Sequence, residues 1–543
     1  MAAAELDDAR APKVAGPPRD PGRTARRLGL TGTLMMAGGS LGAGALPVPN
    51  PLFGLRVLGL PARNATIAIA VTYAGIGLLV FSWLWIAKML RERGAVAPAP
   101  TRGQLARTAV LWSVPLAVAP PMFSRDAYSY LAQSATLARG LDPYVLGPAE
   151  ALGVDDPLTR SIPTIWRDTP TPYGPLFLVL GRGITALTGD DVVSGLFAHR
   201  VLALIGLAGI IWALPRLARR CGVDPGLALW LGAANPLVLF HLVSGIHNEA
   251  LMMGLLLVGM EIGLRGSDRL LDGRLLLGAV LIVAASAVKL PAILALGFLG
   301  LDLARRRGGR FVDVAAAATL LTAVAVIVYL PLSLGTGVGL GWATTLDVPA
   351  LIRSWMSVST DVGLLAGQVG ILAGLGDHTT SVLVVTRTVG LLAAAGVCGV
   401  LLLATLRGRL DPITGMASGL AAVVVLGPVV HPWYLLWTVI PLAATKALPM
   451  HRRWVLAASA VLAVVVPPTG SDFNFRAYQL PMAIIAAIVM IVIVLMVQWR
   501  RSDRDVPRLI GSPRDSPPDP APDSDVPPDV DAPTARPTLP GRA

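Results

Sequence analysis

Residues 105–130 read LARTAVLWSVPLAVAPPMFSRDAYSY, and this stretch decides the fold. The part that ends at Met122 is almost entirely apolar and is long enough to cross a bilayer, which takes about 17 to 25 residues. The residues that follow, Ser124-Arg125-Asp126, are polar and charged. A carboxylate at the tip of a membrane helix is costly unless it has a task. The stretch therefore predicts a membrane span that delivers Asp126 to a functional site.

The composition places the rest of the chain in a membrane as well. Of its 543 residues, 54% are hydrophobic and 14% are charged, and its mean hydropathy is +0.66. A soluble domain carries roughly a quarter charged residues. The apolar stretches are 29–47, 66–90, 105–122, 174–188, 196–214, 226–243, 248–264, 274–304, 311–332, 381–405, 413–430, 431–449, 453–468 and 477–498. We predict an all-α polytopic membrane protein with about 13–15 transmembrane helices.

Basic residues set the predicted orientation. The net charge is +12, and Lys and Arg cluster between apolar stretches at 88–93, 305–307, 452–453 and 500–501. Loops rich in these residues face the cytoplasm, so the large loops 123–172 and 333–380 are predicted to be extracytoplasmic. The arginines within 216–220 obey the same rule only if the 174–188 stretch is re-entrant; otherwise they are an exception. No soluble face combines basic and aromatic residues, so no nucleic acid partner is predicted.

The two ends of the chain differ from its centre. Residues 1–27 and 503–543 are rich in Pro, Asp, Arg and Ala, and are predicted to be disordered cytoplasmic tails around a membrane domain of residues 28–502. Within that domain, Lys289-Leu290-Pro291 interrupts the 274–304 stretch and predicts a broken helix. Apolar residues recur at helical spacing over 127–138, which predicts a short helix lying in the membrane interface.

Asp126 is well suited to chemistry on a sugar. A sugar hydroxyl is a poor nucleophile, and its proton must leave as the glycosidic bond forms. A positioned carboxylate that accepts this proton accelerates the reaction by about 10²- to 10⁴-fold. Ser124 or Asp126 could instead cap a helix that begins at residue 127. Both interpretations stay open at this point, and they are compatible with each other.

Two cations have both a functional and a structural interpretation. Arg125 could neutralise the neighbouring carboxylate or contact a phosphate, or its side chain could extend to lipid headgroups. Lys289 lies in the middle of an apolar stretch, where an unpaired charge is costly. It is predicted to bind a lipid phosphate or to form a structural ion pair with Glu249 or Glu261.

Other polar residues lie at the ends of apolar stretches or in the second loop. His247, Asn248 and Glu249 could donate to or accept from phosphate and sugar hydroxyls, or Asn248 could cap a helix within a polar turn. His431 could contact substrate or be an ordinary interfacial histidine. Arg353 could hold a phosphate or an acceptor sugar, or be a solvated loop charge.

Several aromatic residues lie at the predicted outer interface. Their faces could stack on sugar rings, although a belt of aromatics is the usual arrangement at this level of a membrane. The candidates for sugar contact are Trp166, Tyr173, Trp342, Trp355, Trp433 and Tyr434.

Five motifs together resemble one family of membrane glycosyltransferases. They are SRDAYSY (124–130), GLDPY (140–144), WRDTPTPYGPLF (166–177), GIHNEALM (245–252) and HPWYLLW (431–437). The order of these motifs and their residues are similar to those of the actinobacterial polyprenol-phosphomannose-dependent α-1,6-mannosyltransferases, which belong to the GT-C class. The resemblance implies a GT-C architecture whose extracytoplasmic loops carry juxtamembrane helices. It also implies Asp126 as the catalytic carboxylate and substrate contacts by other motif residues, including Tyr128.

The resemblance also implies a substrate and a location. It implies transfer of mannose from polyprenyl-phosphate-mannose to a growing α-1,6-mannan, of the lipomannan or lipoarabinomannan type, at the outer face of the plasma membrane. An α product from a β-linked donor requires inversion. The alternatives left open are a GT-C transferase for lipid-linked arabinose or glucose, and a flippase for a lipid-linked sugar. No cofactor is predicted, and a divalent metal ion is compatible with the chemistry although no spacing of ligands demands one.

Overall fold

The protein is a bundle of helices joined by short turns. The computed structural model describes residues 20–92, 99–345, 348, 352–470 and 477–504, and no strand occurs among them. The helices are α1 (Arg23–Ala43), α2 (Leu60–Arg63), α3 (Ala65–Arg91), α4 (Arg102–Val118), α5 (Asp126–Ala138), α6 (Pro148–Leu152), α7 (Pro157–Ser161), α8 (Pro175–Thr188), α9 (Val192–Arg220), α10 (Pro225–Gly232), α11 (Glu249–Gly263), α12 (Gly273–Ser286), α13 (Leu294–Arg306), α14 (Phe311–Thr336), α15 (Val358–Leu372), α16 (Thr379–Leu406), α17 (Pro412–Leu426), α18 (Leu436–Leu442), α19 (Leu448–Val465) and α20 (Leu480–Arg504). A π-helical turn covers Val238–Ser244, and 3₁₀ turns cover Thr164–Trp166, Leu290–Ile293, Gly341–Ala343, Pro432–Leu435 and Ala477–Gln479.

Many of these helices have the length and composition of membrane spans. Five are long and apolar enough to cross a bilayer, namely α3, α9, α14, α16 and the 480–498 part of α20. The π-helical turn and α11 form a sixth candidate, bent by 109° at the break between them. Shorter apolar helices are α8, α12, α15 and α17. The predicted all-α polytopic class is therefore confirmed, whereas the number of about 13–15 crossings stays a prediction.

Helix α8 bears on the unresolved orientation of the 174–188 stretch. It has 14 residues, which gives a length of about 21 Å at 1.5 Å per residue. The hydrocarbon core of a bilayer is about 30 Å thick. A helix this short favours the re-entrant alternative over a complete crossing.

Helix boundaries follow the local sequence signals. Helix α12 ends at Ser286 and α13 begins at Leu294, so the predicted break around Lys289 is confirmed. Pro291 in this break has no backbone N–H to donate to a helical hydrogen bond. Helix α1 begins at Arg23, inside the predicted 1–27 tail, and α20 ends at Arg504. The remainder of both predicted tails, residues 1–19 and 505–543, lies outside the described residues.

Contacts divide the chain into two compact units, residues 1–491 and 492–543. The first unit contains α1 to α19 and the start of α20, and it holds every candidate site residue. In the second unit the described residues form the last part of α20.

Helix α5 carries the candidate base and is enclosed by other helices. It begins at Asp126 and ends at Ala138, as the sequence predicts to within one residue. Helices α6, α7, α8 and α9 pack around it, and all its residues from 126 to 137 are buried. One of its polar side chains, Gln133, accepts a hydrogen bond from Thr171 at 2.9 Å. The short helix is therefore confirmed, whereas its position in the membrane interface stays a prediction.

Helices α9 and α11 approach each other through two glycines. A Cβ added at Gly206 would lie 2.1 Å from the Ala250 carbonyl oxygen, and one at Gly254 would lie 2.5 Å from the Gly206 carbonyl oxygen. Small residues at helix contacts allow this closeness in membrane proteins. The contact positions the start of α11, which carries the 245–252 motif.

We expect Gly206→Ala to destabilise the protein because its methyl group has no room between α9 and α11. Overpacking of this kind costs about 1–3 kcal/mol, which thermal unfolding in detergent can measure. Gly396→Ala on α16 is the matched control, because an added Cβ there meets nothing within 4 Å. The control should be neutral or stabilising by up to about 1 kcal/mol. Equal unfolding temperatures for the two variants would contradict the close contact.

A candidate active site at two strained turns

Two strained turns bring the polar motifs together. Phe123 (φ 68°) and Ile246 (φ 59°) are the non-glycine residues with positive φ in the described parts of the chain. Such angles are uncommon for residues with a Cβ and persist only where the surrounding structure enforces them. The ring of Phe123 stacks on Phe240 in the π-helical turn, with centroids 4.4 Å apart. This contact ties the turn before Asp126 to the turn before His247.

Asp126 opens helix α5 but its side chain does not cap it. Its backbone N–H donates to Ser124 Oγ at 3.1 Å. Arg125 occupies the N-cap position and makes no capping bond, so neither of the two cap candidates in the sequence caps the helix. The Asp126 carboxylate instead faces His247, whose Nδ1 lies 3.7 Å from Asp126 Oδ2. The carboxylate is therefore not consumed by the helix terminus and is available for proton transfer.

The second motif occupies the break between the π-helical turn and α11. His247, Asn248 and Glu249 are buried there, with 0%, 3% and 0% of their surface exposed. The Asn248 backbone N–H donates to the Tyr130 hydroxyl at 3.4 Å, which holds the break against α5. Asn248 stands at the N-cap position of α11, but its side chain makes no capping bond. The prediction of a capping Asn248 side chain is therefore wrong.

Lys289 forms an ion pair with Glu249. Its Nζ lies 2.5 Å from Glu249 Oε1, and the side chains are 12% and 0% exposed. The other predicted partner, Glu261, pairs with Arg265 instead. The break between α12 and α13 thus delivers a cation to the same cluster as the 245–252 motif. The remaining oxygen, Glu249 Oε2, lies 3.8 Å from His247 Nδ1.

Three aromatic rings surround the Lys289 ammonium. Its Nζ is 4.5 Å from the ring centroid of Tyr434, 5.4 Å from that of Trp437 and 5.7 Å from that of Tyr173. Such contacts stabilise a cation in an apolar environment. Tyr173 and Tyr434 are among the aromatic candidates for sugar contact, whereas Trp437 is not. Trp437 lies three residues after Tyr434, on the same face of a helix start, and this spacing could have identified it.

His247 is held in a stack of flat side chains. Its ring lies 4.0 Å from that of Trp433, and the ring of His431 lies 4.5 Å from Trp433 with an interplanar angle of 2°. His241, which the sequence analysis missed, lies 5.8 Å from His247. A histidine inside the apolar 226–243 stretch is itself a signal of function. The stack brings together His247, His431 and Trp433, as predicted for substrate contacts.

Burial raises the pKa of the Asp126 carboxyl to about 7. The nearby Glu249 carboxylate raises it further, while the Lys289 ammonium lowers it. Hydrogen bonds from Ser124 and from the predicted site residue Trp166 also favour the ionised form and lower the pKa. A carboxyl group that titrates near neutral pH is well matched to accept a proton in a transition state.

Several buried polar atoms around this cluster have no hydrogen-bond partner in the described structure. They are both ring nitrogens of His241 and His247, the side-chain N and O of Asn248, Glu249 Oε2 and Trp437 Nε1. Buried polar atoms are nearly always paired, and each unpaired one costs about 1–3 kcal/mol. A ligand rich in hydroxyl or phosphate oxygens would provide the missing partners.

Two predicted substrate contacts lie on the far side of α5. Arg125 Nε donates to the Ser161 carbonyl at 2.8 Å, and the Tyr128 hydroxyl donates to the Ala45 carbonyl at 2.5 Å. Side chains two residues apart on a helix point in nearly opposite directions, because successive residues turn by about 100°. The structure therefore does not gather Arg125 and Tyr128 with the Asp126 carboxylate.

Arg353 also lies apart from the cluster. Its side chain is exposed, and its charge acts on Asp377. The next residue, Ser354, donates to the carbonyl of Val430, which precedes His431. The hydrogen bond of Ser354 thus connects the backbone next to Arg353 with the 431–437 motif. A substrate contact by the Arg353 guanidinium stays a prediction.

A metal site would need several ligands at one place. Within residues 20–92, 99–345, 348, 352–470 and 477–504, no group of three or more His, Cys, Asp or Glu side chains could hold a metal ion. The compatibility of the reaction with a divalent ion stays a prediction.

Comparison with known proteins agrees with the resemblance seen in the motifs. Residues 26–305 match the family described as alpha-(1->6)-mannopyranosyltransferase, N-terminal domain, and residues 359–496 match the MptB C-terminal domain. A probable alpha-(1->6)-mannopyranosyltransferase of Mycolicibacterium smegmatis is 45% identical over 88% of this chain and 89% of its own. The alpha-(1->6)-mannopyranosyltransferase of Mycobacterium tuberculosis is 43% identical over 88% and 87%. Alpha-(1->6)-mannopyranosyltransferase B of Corynebacterium glutamicum is 39% identical over 82% and 77%. The chain is therefore a membrane glycosyltransferase that belongs to the alpha-(1->6)-mannopyranosyltransferase family.

Proposed function

We propose that this enzyme transfers mannose from polyprenyl-phosphate-mannose to a growing α-1,6-mannan of the lipomannan or lipoarabinomannan type. The reaction takes place at the extracytoplasmic face of the plasma membrane. The observation that carries the proposal is the Asp126 carboxylate, which faces the buried His247, Glu249 and Lys289 group. The names of the relatives support mannose as the sugar and α-(1→6) as the linkage.

The reaction is a single displacement at the anomeric carbon of the donor mannose. The 6-hydroxyl of the acceptor attacks as the Asp126 carboxylate takes its proton. The bond from the anomeric carbon to the phosphate oxygen breaks, and polyprenyl phosphate leaves with the bonding electron pair. Because attack and departure occur on opposite faces, a β-linked donor yields an α product. A phosphate is a good leaving group, so one carboxylate suffices where glycoside hydrolases use two.

Lys289 is the cation placed to meet the developing charge on the leaving phosphate. A positive charge fixed in a low-dielectric site stabilises such a transition state without reorganising at the moment of reaction. Glu249 holds the ammonium in place, and its second oxygen faces His247. The unpartnered nitrogens of His241 and His247 can donate to phosphate or sugar oxygens.

Aromatic rings near the carboxylate fit a sugar substrate. Trp433 presents its ring within the histidine stack, and Trp166 hydrogen-bonds to Asp126. Flat apolar faces beside polar atoms suit a pyranose, which has both apolar faces and a rim of hydroxyl groups. Trp166 lies in the loop that follows α4, on the side that the positive-inside rule assigns to the exterior.

The direct test supplies membranes containing the enzyme with labelled polyprenyl-phosphate-mannose and a short α-1,6-mannoside. We expect elongated labelled mannoside, with the new linkage cleaved by an α-1,6-specific mannosidase. Parallel incubations contain polyprenyl-phosphate-arabinose or polyprenyl-phosphate-glucose as the sole donor. Transfer from either of these without transfer from the mannose donor would contradict the proposal. Movement of intact donor across the membrane without any transfer would favour a flippase.

The pKa of Asp126 predicts how the reaction depends on pH. The base works only when ionised, and burial raises the pKa of Asp126 to about 7. The kcat/KM value should therefore rise about tenfold per pH unit below that pKa and level off above it. Enzyme incubated at each pH and then assayed at the plateau controls for irreversible unfolding. A flat profile through the acidic range would contradict an essential base with this pKa.

A further inference from the structure

An apolar cavity lies beside the candidate active site, on the other side of α5. It has a volume of about 240 Å³ and is bounded by the 41–58 segment, the end of α4 and the start of α9. Its walls include Leu41, Leu52, Val118, Leu196 and Phe197. Tyr128 and Arg200 provide polar groups at its surface. An elongated hydrocarbon chain suits such a lining.

Arg200 is a buried cation in a candidate membrane span. It is 2% exposed and lies about 12 Å from the start of α9, at 1.5 Å per residue. Its Nη1 donates to the Ala117 carbonyl at 3.1 Å and its Nη2 to the Ser244 carbonyl at 3.5 Å. Its Nε has no hydrogen-bond partner. Among the described residues no carboxylate forms an ion pair with it, so its positive charge is met only by the dipoles of these carbonyls.

A second arginine adds to the positive charge. Tyr128 feels the charges of both Arg125 and Arg200, and the Arg125 guanidinium carbon lies 5.3 Å from the centroid of its ring. Arg125 Nε is bound to a neutral carbonyl, that of Ser161. Arg200 lines the cavity and Arg125 lies next to the Tyr128 ring, and within the described structure no carboxylate forms an ion pair with either arginine. An anion is the partner that the charges lack.

We propose that this cavity binds an anionic phospholipid, whose acyl chain occupies the apolar walls and whose phosphate pairs with Arg200. Hydrogen bonds between ionised groups are the strongest kind, and a phosphate accepts from several guanidinium N–H groups at once. A hydrocarbon chain continuous with a phosphate matches the combination of apolar wall and buried cation. A free anion would leave the apolar cavity unfilled.

The bound lipid would also support the geometry of the active site. Arg200 holds the carbonyl of Ser244, the last residue of the π-helical turn before the strained Ile246. Tyr128 lies on the same helix as Asp126, two residues away. A lipid seated between these groups would fix both turns that flank the carboxylate and His247.

The test measures lipid binding directly and does not depend on mannosyl transfer. Native mass spectrometry of the purified full-length enzyme is carried out with phosphatidylglycerol, phosphatidylethanolamine or polyprenyl phosphate. We expect Arg200→Gln to weaken phosphatidylglycerol binding by about tenfold or more, because it removes a charge-assisted pair. Val193→Trp should weaken it as well, by filling the cavity from an exposed wall position without a change of charge. Arg219→Gln, at the exposed far end of the same helix, is the matched control and should bind as the wild type does.

Each outcome bears on the proposal. Weaker binding of phosphatidylglycerol in Arg200→Gln and Val193→Trp, with little binding of phosphatidylethanolamine in any form, supports it. Wild-type binding by a folded Arg200→Gln would overturn it, since Arg200 would then serve only the two carbonyls. If Arg200→Gln does not fold, undiminished phosphatidylglycerol binding by Val193→Trp would by itself overturn the proposal. Polyprenyl phosphate bound in place of phosphatidylglycerol, with the same dependence on Arg200, would overturn the assignment to a phospholipid.

Discussion

The Asp126→Asn variant should lose mannosyl transfer by about 10²- to 10⁴-fold, the range that a positioned general base contributes. The amide keeps the size of the side chain but cannot take the acceptor proton. Its fold should survive, because the Asp126 side chain does not cap α5 and the bond to Ser124 uses the backbone N–H. The measurement is the initial rate with labelled polyprenyl-phosphate-mannose at a pH on the plateau of the wild-type profile, normalised to the amount of folded enzyme.

Asp155→Asn is the matched control for the loss of a carboxylate. Asp155 lies in the same predicted loop but is exposed, so its variant should transfer mannose at the wild-type rate. A second control, Ser124→Ala, removes the acceptor of the Asp126 backbone N–H and should lower stability by about 0.5–1.5 kcal/mol. Full activity of Asp126→Asn would remove this residue from the mechanism and leave Glu249 as the carboxylate to test.

Local signals in the sequence were sufficient to predict most of the helices. An apolar stretch and a proline affect helix formation only within a few residues along the chain. The break at Lys289 could therefore be predicted from its neighbours alone. The strained turns were different. Nothing in the identity of Phe123 or Ile246 demands a positive φ, since the surrounding structure imposes it.

The sequence could not predict which glutamate pairs with Lys289, because the pairing depends on how the helices pack. Glu249 and Glu261 both lie on α11 and both were candidates for Lys289. The packing of α11 against α12 and against the 290–293 turn brings Glu249, at the start of α11, within reach of Lys289. The same limit applies to α5, whose sequence pattern predicts a short helix but not that every residue from 126 to 137 is buried by its neighbours.

The ion pair of Lys289 and Glu249 allows stability and catalysis to be separated. Removal of one partner from a buried pair leaves an uncompensated charge and costs about 3–5 kcal/mol. Glu249→Gln and Lys289→Met should each lower the unfolding temperature strongly. Arg305→Gln, which removes a half-exposed member of an ion pair with Asp302, should cost no more than about 1 kcal/mol.

The double variant Glu249→Gln with Lys289→Met should recover most of the lost stability, because neither member of the pair is then left charged without the other. It should not recover mannosyl transfer, because the leaving phosphate would still lack its cation. Thermal unfolding and the initial rate per folded enzyme, measured on the four forms, separate these effects. If the double variant is as unstable as the two single variants, the loss of the ion pair is not the cause of the instability of the single variants. A stable double variant with wild-type transfer would show that the Lys289 charge serves the fold alone, and the phosphate would then need another cation.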